Sequence, residues 1–317
     1  MNLVLANHTY QHHMTNEGNQ LQLALDSSGW KLVGPGYEGN LRDVRRILHH
    51  YQPERVFVQD VRDWNPSSGC PGATKETNFH AIHTLGQREG DYKVFTVVKD
   101  AGPDGTKYQW DFCEEIDADA IVLYYHPLSC MKYSPWLTDY KLVRTYHTID
   151  AEEIPAFTPG RQRQSLCGSG AILAEVYPLR KRVAPRAHEF GMVWLKHPGY
   201  LNTKGPDTPR YLSFLNQFKV HFATASAYGF SLRKIIESVA CGCTVVTDLP
   251  KYDVLPEIDR ALVRIPPTIT DRELKEVFSE AVALWDEEGR RKWADKAIRY
   301  YNYRSMGYRL SNDLCRV

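Results

Sequence analysis

Arg233 and Glu237 are the two residues whose types and spacing carry the most chemistry. They stand four positions apart in Ser231-Leu232-Arg233-Lys234-Ile235-Ile236-Glu237, where Leu232, Ile235, Ile236, Val239 and Ala240 form one apolar helical stripe. Ahead of them, Tyr228-Gly229-Phe230-Ser231 makes a small-residue turn after the strand-like run 219–225. A strand, a glycine turn and a helix start together form an anion site, because free backbone N–H groups and the positive end of the helix dipole point at one place. A diphosphate there would take Arg233 as a charge-assisted partner. Glu237, one turn on, would accept hydrogen bonds from two ribose hydroxyls. The same spacing also suits an exposed ion pair contributing about 0.3 kcal/mol, with Gly229 doing no more than turning the chain. Spacing alone leaves both readings open.

Further candidates follow other strand-like runs. Lys196 and His197 leave a strand of the second half, at a sheet exit of the kind where ligands bind, or else form a solvated loop. His8, just after the first strand, would face the same crevice from the first half. Although His12 and His13 stand nearby, no H-E-x-x-H or similar spacing supports a metal site, and none is expected. Asp60, at the end of the third strand, is a candidate general base for an acceptor hydroxyl, with Asp150 beside His147 as its rival. For Asp150 a helix N-cap ahead of Ala151-Glu152-Glu153 is the favoured role. The loop from Trp64 to Glu89 has no core pattern and is the candidate acceptor-recognition element. Gly168-Ser169-Gly170 is a weak phosphate-loop signal, since no Gly-Lys-Ser/Thr follows it. Arg180-Lys181-Arg182 is a candidate local basic patch.

These groups need strand ends to present them. Leu3–Ala6, Trp30–Gly34 and Arg55–Asp60 read as strands, and Gln20–Leu25 and Leu41–Tyr51 as helices. Runs at 92–100, 120–126 and 141–150 add three more strands. This alternation predicts a parallel sheet covered on both faces. From about Ala156 to Glu189 the rhythm loosens into Pro, Gly and basic residues, which reads as an interdomain connection. It restarts with strands at 191–200, 219–226, 243–250 and 261–266, helices at 209–218 and 231–242, and a charged helical tail from about Asp271.

The stretch from Gly229 to Asp248 resembles the donor-binding segment of GT-B glycosyltransferases, especially the group with the spore-maturation (CgeB-like) C-terminal domain. The likeness is carried by Gly229, Arg233, Glu237, the run Ala240-Cys241-Gly242 and the apolar strand ending in Thr247-Asp248. It implies an α/β GT-B fold, two Rossmann-like domains facing each other across a cleft. The acceptor domain would occupy 1–183, the donor domain 184–295, and a final helix over 296–317 would return to the first domain. The resemblance also implies transfer from a UDP- or GDP-sugar co-substrate without a bound metal. Gly229, Phe230, Ser231, Arg233, Glu237, Lys196 and His197 would bind the donor, and His8 and Asp60 would serve catalysis. One departure stands out: many retaining members of the fold carry a second glutamate where this chain has Gly229, so the sugar end of the site differs.

Composition narrows the alternatives. The hydrophobic fraction of 43% and charged fraction of 24% exclude a disordered or fibrous chain, and 317 residues favour two domains. A formal net charge of +1 gives no overall basic field for nonspecific nucleic-acid binding. Seven cysteines without a C-x-x-C pair read as buried thiols of a reducing compartment. The N-terminal run turns polar too early for a signal peptide, and no run approaches the roughly 20 apolar residues that span a bilayer. A soluble cytoplasmic protein of undetermined oligomeric state is expected. Its default acceptor is a saccharide or cell-envelope glycan, and the alternative is a hydroxymethylated pyrimidine in DNA, the acceptor of bacteriophage enzymes of this fold. A nucleotide-sugar-binding protein without transfer is a further reading. An NAD-dependent oxidoreductase is disfavoured, because no G-x-G-x-x-G follows the first strand.

Overall fold

The computed structural model describes residues 1–6, 15–34, 37–38, 41–58, 83–99, 101–102, 106–195 and 208–317. The chain divides into two compact units, one made of Met1–Thr148 with Tyr303–Val317, the other of Ile149–Asn302. The second unit therefore begins well before residue 184, where the sequence placed its start.

The first unit is built on a six-stranded sheet in the order β2-β1-β3-β4-β5-β6, every neighbouring pair parallel. Its strands are β1 Asn2–Leu5, β2 Lys31–Val33, β3 Arg55–Val58, β4 Lys93–Val98, β5 Ala120–Leu123 and β6 Lys141–Arg144. Residues two apart on a strand share a face. Leu3 and Leu5, with Val56 and Val58, accordingly pack against Val44 and Leu48 of helix Val44–Tyr51 and Phe112 of helix Thr106–Glu115. Helix Val44–Tyr51 is N-capped by Asp43, whose carboxylate accepts the Arg46 N–H at 3.0 Å. Helix Tyr303–Cys315 lies on helix Thr15–Asp26. Gly307 brings the two backbones together, since a Cβ there would collide with the Ala24 carbonyl. Trp30 Nε1, just before β2, donates to Ser311 Oγ of helix Tyr303–Cys315 at 2.9 Å.

The second unit holds a five-stranded parallel sheet in the order β11-β10-β9-β7-β8. Its strands are β7 Gln164–Ser169, β8 Val193–Leu195, β9 Phe218–Phe222, β10 Thr244–Thr247 and β11 Leu262–Arg264. The strand β7 was hidden in what the sequence presented as an interdomain connection. QSLCGS carries small residues in place of the usual β-branched ones because it is crowded: a Cβ on Gly168 would lie 2.5 Å from the Trp194 ring and 2.6 Å from the Met192 sulfur. Successive strands leave β7 in opposite directions, to β8 on one side and β9 on the other. In open α/β sheets the crevice at the carboxyl ends of such a pair is where ligands bind. The amino ends of β7, β9 and β10 are gathered by Arg163. Its guanidinium donates to the carbonyls of Phe218 (2.8 Å) and Cys241 (3.0 Å) and to Asn216 Oδ1 (2.8 Å), and it lies over the Phe157 ring at 4.4 Å. Among the described residues, no helix is long and apolar enough to cross a membrane.

Candidate functional site

At the carboxyl end of β9 the chain passes through Ala223-Thr224-Ala225 to a turn organised by Ser226. The Ser226 hydroxyl oxygen accepts the N–H groups of Tyr228 and Phe230, both at 3.3 Å, and its carbonyl accepts the Gly229 N–H at 2.9 Å. Gly229 sits at φ 74, a left-handed conformation that disfavours a side chain. Helix Arg233–Ala240 begins directly after this turn, with Leu232 at its N-cap supplying no side-chain hydrogen bond. The phenyl ring of Phe230 and the Ser231 side chain are buried beneath it.

This helix is not the one-sided element its apolar stripe suggests. Every residue from Lys234 to Ala240 is buried, polar ones included. Arg233 Nε lies 2.8 Å from Glu237 Oε1, with side chains 14% and 8% exposed. The exposed surface pair allowed by the spacing is therefore overturned. Glu153, on a turn near the start of this unit, faces the same pair electrostatically. Burial pushes its carboxyl up, while the Arg233 charge pulls it down and Glu237 adds to the rise.

The sequence reading missed Lys234. Its side chain is buried, and among the described residues its Nζ has no hydrogen-bond partner. Nζ stands against Gly170, the residue after β7, at φ 117. A Cβ on Gly170 would collide with Lys234 Nζ and lie 2.6 Å from Arg180 Nη1, so three backbone and side-chain groups converge on one point. Burial first, then the Arg180 charge, push the Lys234 amine well below the ordinary lysine range, against a smaller pull from Glu237.

Arg180 corrects a second expectation. It is fully buried, so Arg180-Lys181-Arg182 is no exposed patch. Its guanidinium stacks over Tyr177 at 3.8 Å and donates to Thr224 Oγ1 at 2.9 Å and to the Ala171 carbonyl at 3.0 Å. Arg182 is turned toward Asp271, 3.4 Å away. Arg180 thus clips the exit of β7 to the exit of β9. Asp248, after β10, completes the rim: its carboxylate accepts the Ala225 N–H at 2.7 Å, and burial pushes its pKa up to about 6.

Beneath these groups runs a buried hydrogen-bond chain. Tyr211 OH meets Ser169 Oγ at 2.7 Å, Ser169 Oγ meets His221 Nε2 at 2.9 Å, and His221 Nδ1 meets Ser238 Oγ. The Ser238 hydroxyl donates to the Lys234 carbonyl. With that proton committed, Nδ1 must be the donating nitrogen of His221 and Nε2 the acceptor for Ser169. Burial, then the Lys234 and Arg180 charges, hold His221 well below its usual range, in keeping with a neutral ring. The chain locks β7, β9 and the helix start together.

Of the residues singled out from the sequence, Gly229, Phe230, Ser231, Arg233 and Glu237 are gathered at this helix start. His8, Asp60, Lys196 and His197 lie outside the described residues, as does the 64–89 loop up to residue 82. Asp150 caps a single turn, not a helix, accepting the Glu152 N–H at 3.0 Å. His147 belongs to the first unit, stacked on Tyr124 at 4.9 Å. Ala240-Cys241-Gly242 sits at the far end of the helix from the site. There the Cys241 carbonyl receives Arg163, and a Cβ on Gly242 would meet the Phe157 ring. Among the described residues, no group of three or more His, Cys, Asp or Glu side chains could hold a metal ion.

No family model matches the chain, and no curated protein matches it. Solved structures do. A sucrose-phosphate synthase from Thermosynechococcus elongatus superposes with a TM-score of 0.61 at 11% identity, covering 99% of this chain and 98% of that one. An alpha-glucosyltransferase in complex with UDP and a 13-mer DNA gives 0.59 at 10% identity, covering 99% of both chains. Anabaena HepE in complex with UDP gives 0.57 at 8% identity over the whole of both. At such identities the likeness shows the fold, which is GT-B: two parallel-sheet, Rossmann-like α/β domains.

Proposed function

We propose that this chain is a glycosyltransferase that moves a sugar from a UDP- or GDP-linked donor to a hydroxyl acceptor, meeting the diphosphate charge with its own side chains. The observation that carries this reading is the meeting of Lys234, Arg180 and Gly170 at the carboxyl ends of β7 and β9. Two basic side chains kept out of water around a glycine make a place for an anion, and the adjoining start of helix Arg233–Ala240 adds its dipole. In this reading Gly229, Phe230 and Ser231 shape the entry to that helix, and Lys196 and His197 assist at the diphosphate. Glu237 receives the ribose hydroxyls while Arg233 holds its carboxylate in place. Asp60 takes the acceptor's proton and His8 orients the acceptor. The UDP carried by two of the similar structures supports a nucleotide donor, and the motif likeness to the spore-maturation group supports the placement of the donor segment.

The acceptor we assign is a saccharide or cell-envelope glycan. Modified DNA is the second reading, favoured by the similar alpha-glucosyltransferase bound to UDP and DNA and weakened by the burial of Arg180. Melting curves with UDP- and GDP-sugars and with NAD test the donor, and mass spectrometry of saccharide and hydroxymethylcytosine-duplex acceptors tests transfer. Stabilisation by NAD and by no sugar nucleotide would sink the reading. Stabilisation without transfer to any acceptor would leave a nucleotide-sugar-binding protein.

A further inference from the structure

Lys234 has the environment of an amine that is not always charged. It is buried beside a second cation, Arg180, and among the described residues nothing accepts a hydrogen bond from its Nζ. An ammonium there gives up its hydration shell and gains no compensating bond, a cost that a protein avoids by releasing the proton. The surroundings reinforce this from several elements. Arg180 from helix Pro178–Val183 repels a positive charge, and Arg233 stands next along its own helix. His221 of β9 is held neutral, and Tyr211 of helix Thr208–Leu215 is pushed far above its usual range, so neither supplies an anion. Asp248 is raised by burial and tied to the Ala225 N–H. Among the described residues Glu237 is the carboxylate that pulls the proton on, and its Oε1 is already engaged by Arg233. Glu153 is itself raised by burial.

We propose that Lys234 is an uncharged amine in the ligand-free protein and takes up a proton when a diphosphate settles against Gly170, so that anion binding and protonation are one event. This rests on the donor reading above and adds a regulation to it: affinity falls as pH rises. The step balances simply. The amine lone pair accepts H⁺ from solvent, forming an N–H bond and an ammonium ion, and no other bond changes. The incoming anion supplies a hydrogen-bond acceptor, which Nζ lacks among the described residues, and a negative charge in addition to that of Glu237.

Calorimetric titration of UDP-glucose, GDP-glucose and pyrophosphate in buffers of different ionisation enthalpy tests this, at pH 7 to 8. In that range the diphosphate diester of a sugar nucleotide has no proton to exchange, and the N–H groups of uracil and guanine stay protonated. The expected result is uptake of about one proton per sugar nucleotide bound, from the slope of observed enthalpy against buffer ionisation enthalpy. In K234M and K234Q the uptake should vanish and binding should weaken at least tenfold. Sugar-nucleotide binding with no proton uptake, or with uptake unchanged in both variants, overturns the inference and leaves the donor reading standing. Binding of pyrophosphate alone, with uptake that depends on Lys234, keeps the inference and removes the donor reading. Absence of binding by all three ligands removes both.

Discussion

Arg233 and Glu237 form a buried salt bridge of 2.8 Å within one helical turn, at the start of the helix that faces the crevice of the second sheet. Deleting the carboxylate would leave a guanidinium out of water without its partner, which costs about 3 kcal/mol. Glu237→Ala is therefore expected to lower stability as well as nucleotide binding. Glu237→Gln keeps an acceptor for Arg233 and isolates the ligand role. Urea denaturation should rank the variants wild type, Gln, Ala. Titration with UDP-glucose should show at least tenfold weaker binding for Gln, and wild-type affinity there would remove Glu237 from the ribose.

Gly170 is expected to tolerate no side chain. Its φ of 117 is unfavourable for an L residue, and the added methyl would enter the space of Lys234 Nζ and Arg180 Nη1. Gly170→Ala should cost about 2 kcal/mol or more by chemical denaturation and weaken nucleotide binding at least tenfold. Gly191→Ala is the control, since Gly191 is also left-handed (φ 63) but has nothing within 4 Å of the new carbon. It should pay only the backbone cost of about 1 kcal/mol and bind normally.

Lys234 predicts a pH dependence of stability. Its folded pKa is lowered below the unfolded value near 10.4, so between the two the unfolded chain binds more protons. Stability must then rise with pH across that window, and the penalty is fully present below the folded pKa. Lys234→Met removes the penalty. The variant should melt higher than wild type at neutral pH, with the advantage shrinking as pH approaches 10. An advantage independent of pH would show that the amine does not titrate there.

Asp248 predicts the opposite slope. With its folded pKa pushed up to about 6, the folded chain binds more protons than the unfolded one between roughly pH 4 and 6. Stability contributed by this group therefore declines as pH rises through that window, by about 3 kcal/mol. Asp248→Asn keeps an acceptor for the Ala225 N–H and loses the charge. Denaturation curves should place it level with wild type near pH 4 and above it at pH 8.

The regular parts of this fold are plain in the sequence because their strands are apolar and their helices periodic. Leu3, Val56, Val94 and Ile121 all sit in strands where their runs predict them. β7 was illegible for a physical reason: a central strand pressed against Trp194 and Met192 needs glycine and serine, which sequence reasoning takes for a loop. Missing β7 moved the expected domain boundary and hid the meaning of Gly170.

The same holds within the site. Arg233 and Glu237 were found by helical spacing, yet their burial comes from elements far away in sequence. Lys234, next to Arg233, gave no signal because a lysine on a helix is ordinarily a solvated one. The run Arg180-Lys181-Arg182 looks like surface charge for the same reason. Their convergence on Gly170 depends on the order of β7 and β9 in the sheet, and no local pattern encodes that.

Helix Tyr303–Cys315 belongs to the unit that opens the chain, whereas Ile149–Asn302 is an uninterrupted stretch. During synthesis the ribosome delivers the whole of the second unit before the first has received its last helix. The half that is made first is thus finished last. Until Gly307 seats against the Ala24 carbonyl, helix Thr15–Asp26 leaves the ribosome without its partner, and a nascent chain holds a finished second unit beside an incomplete first one.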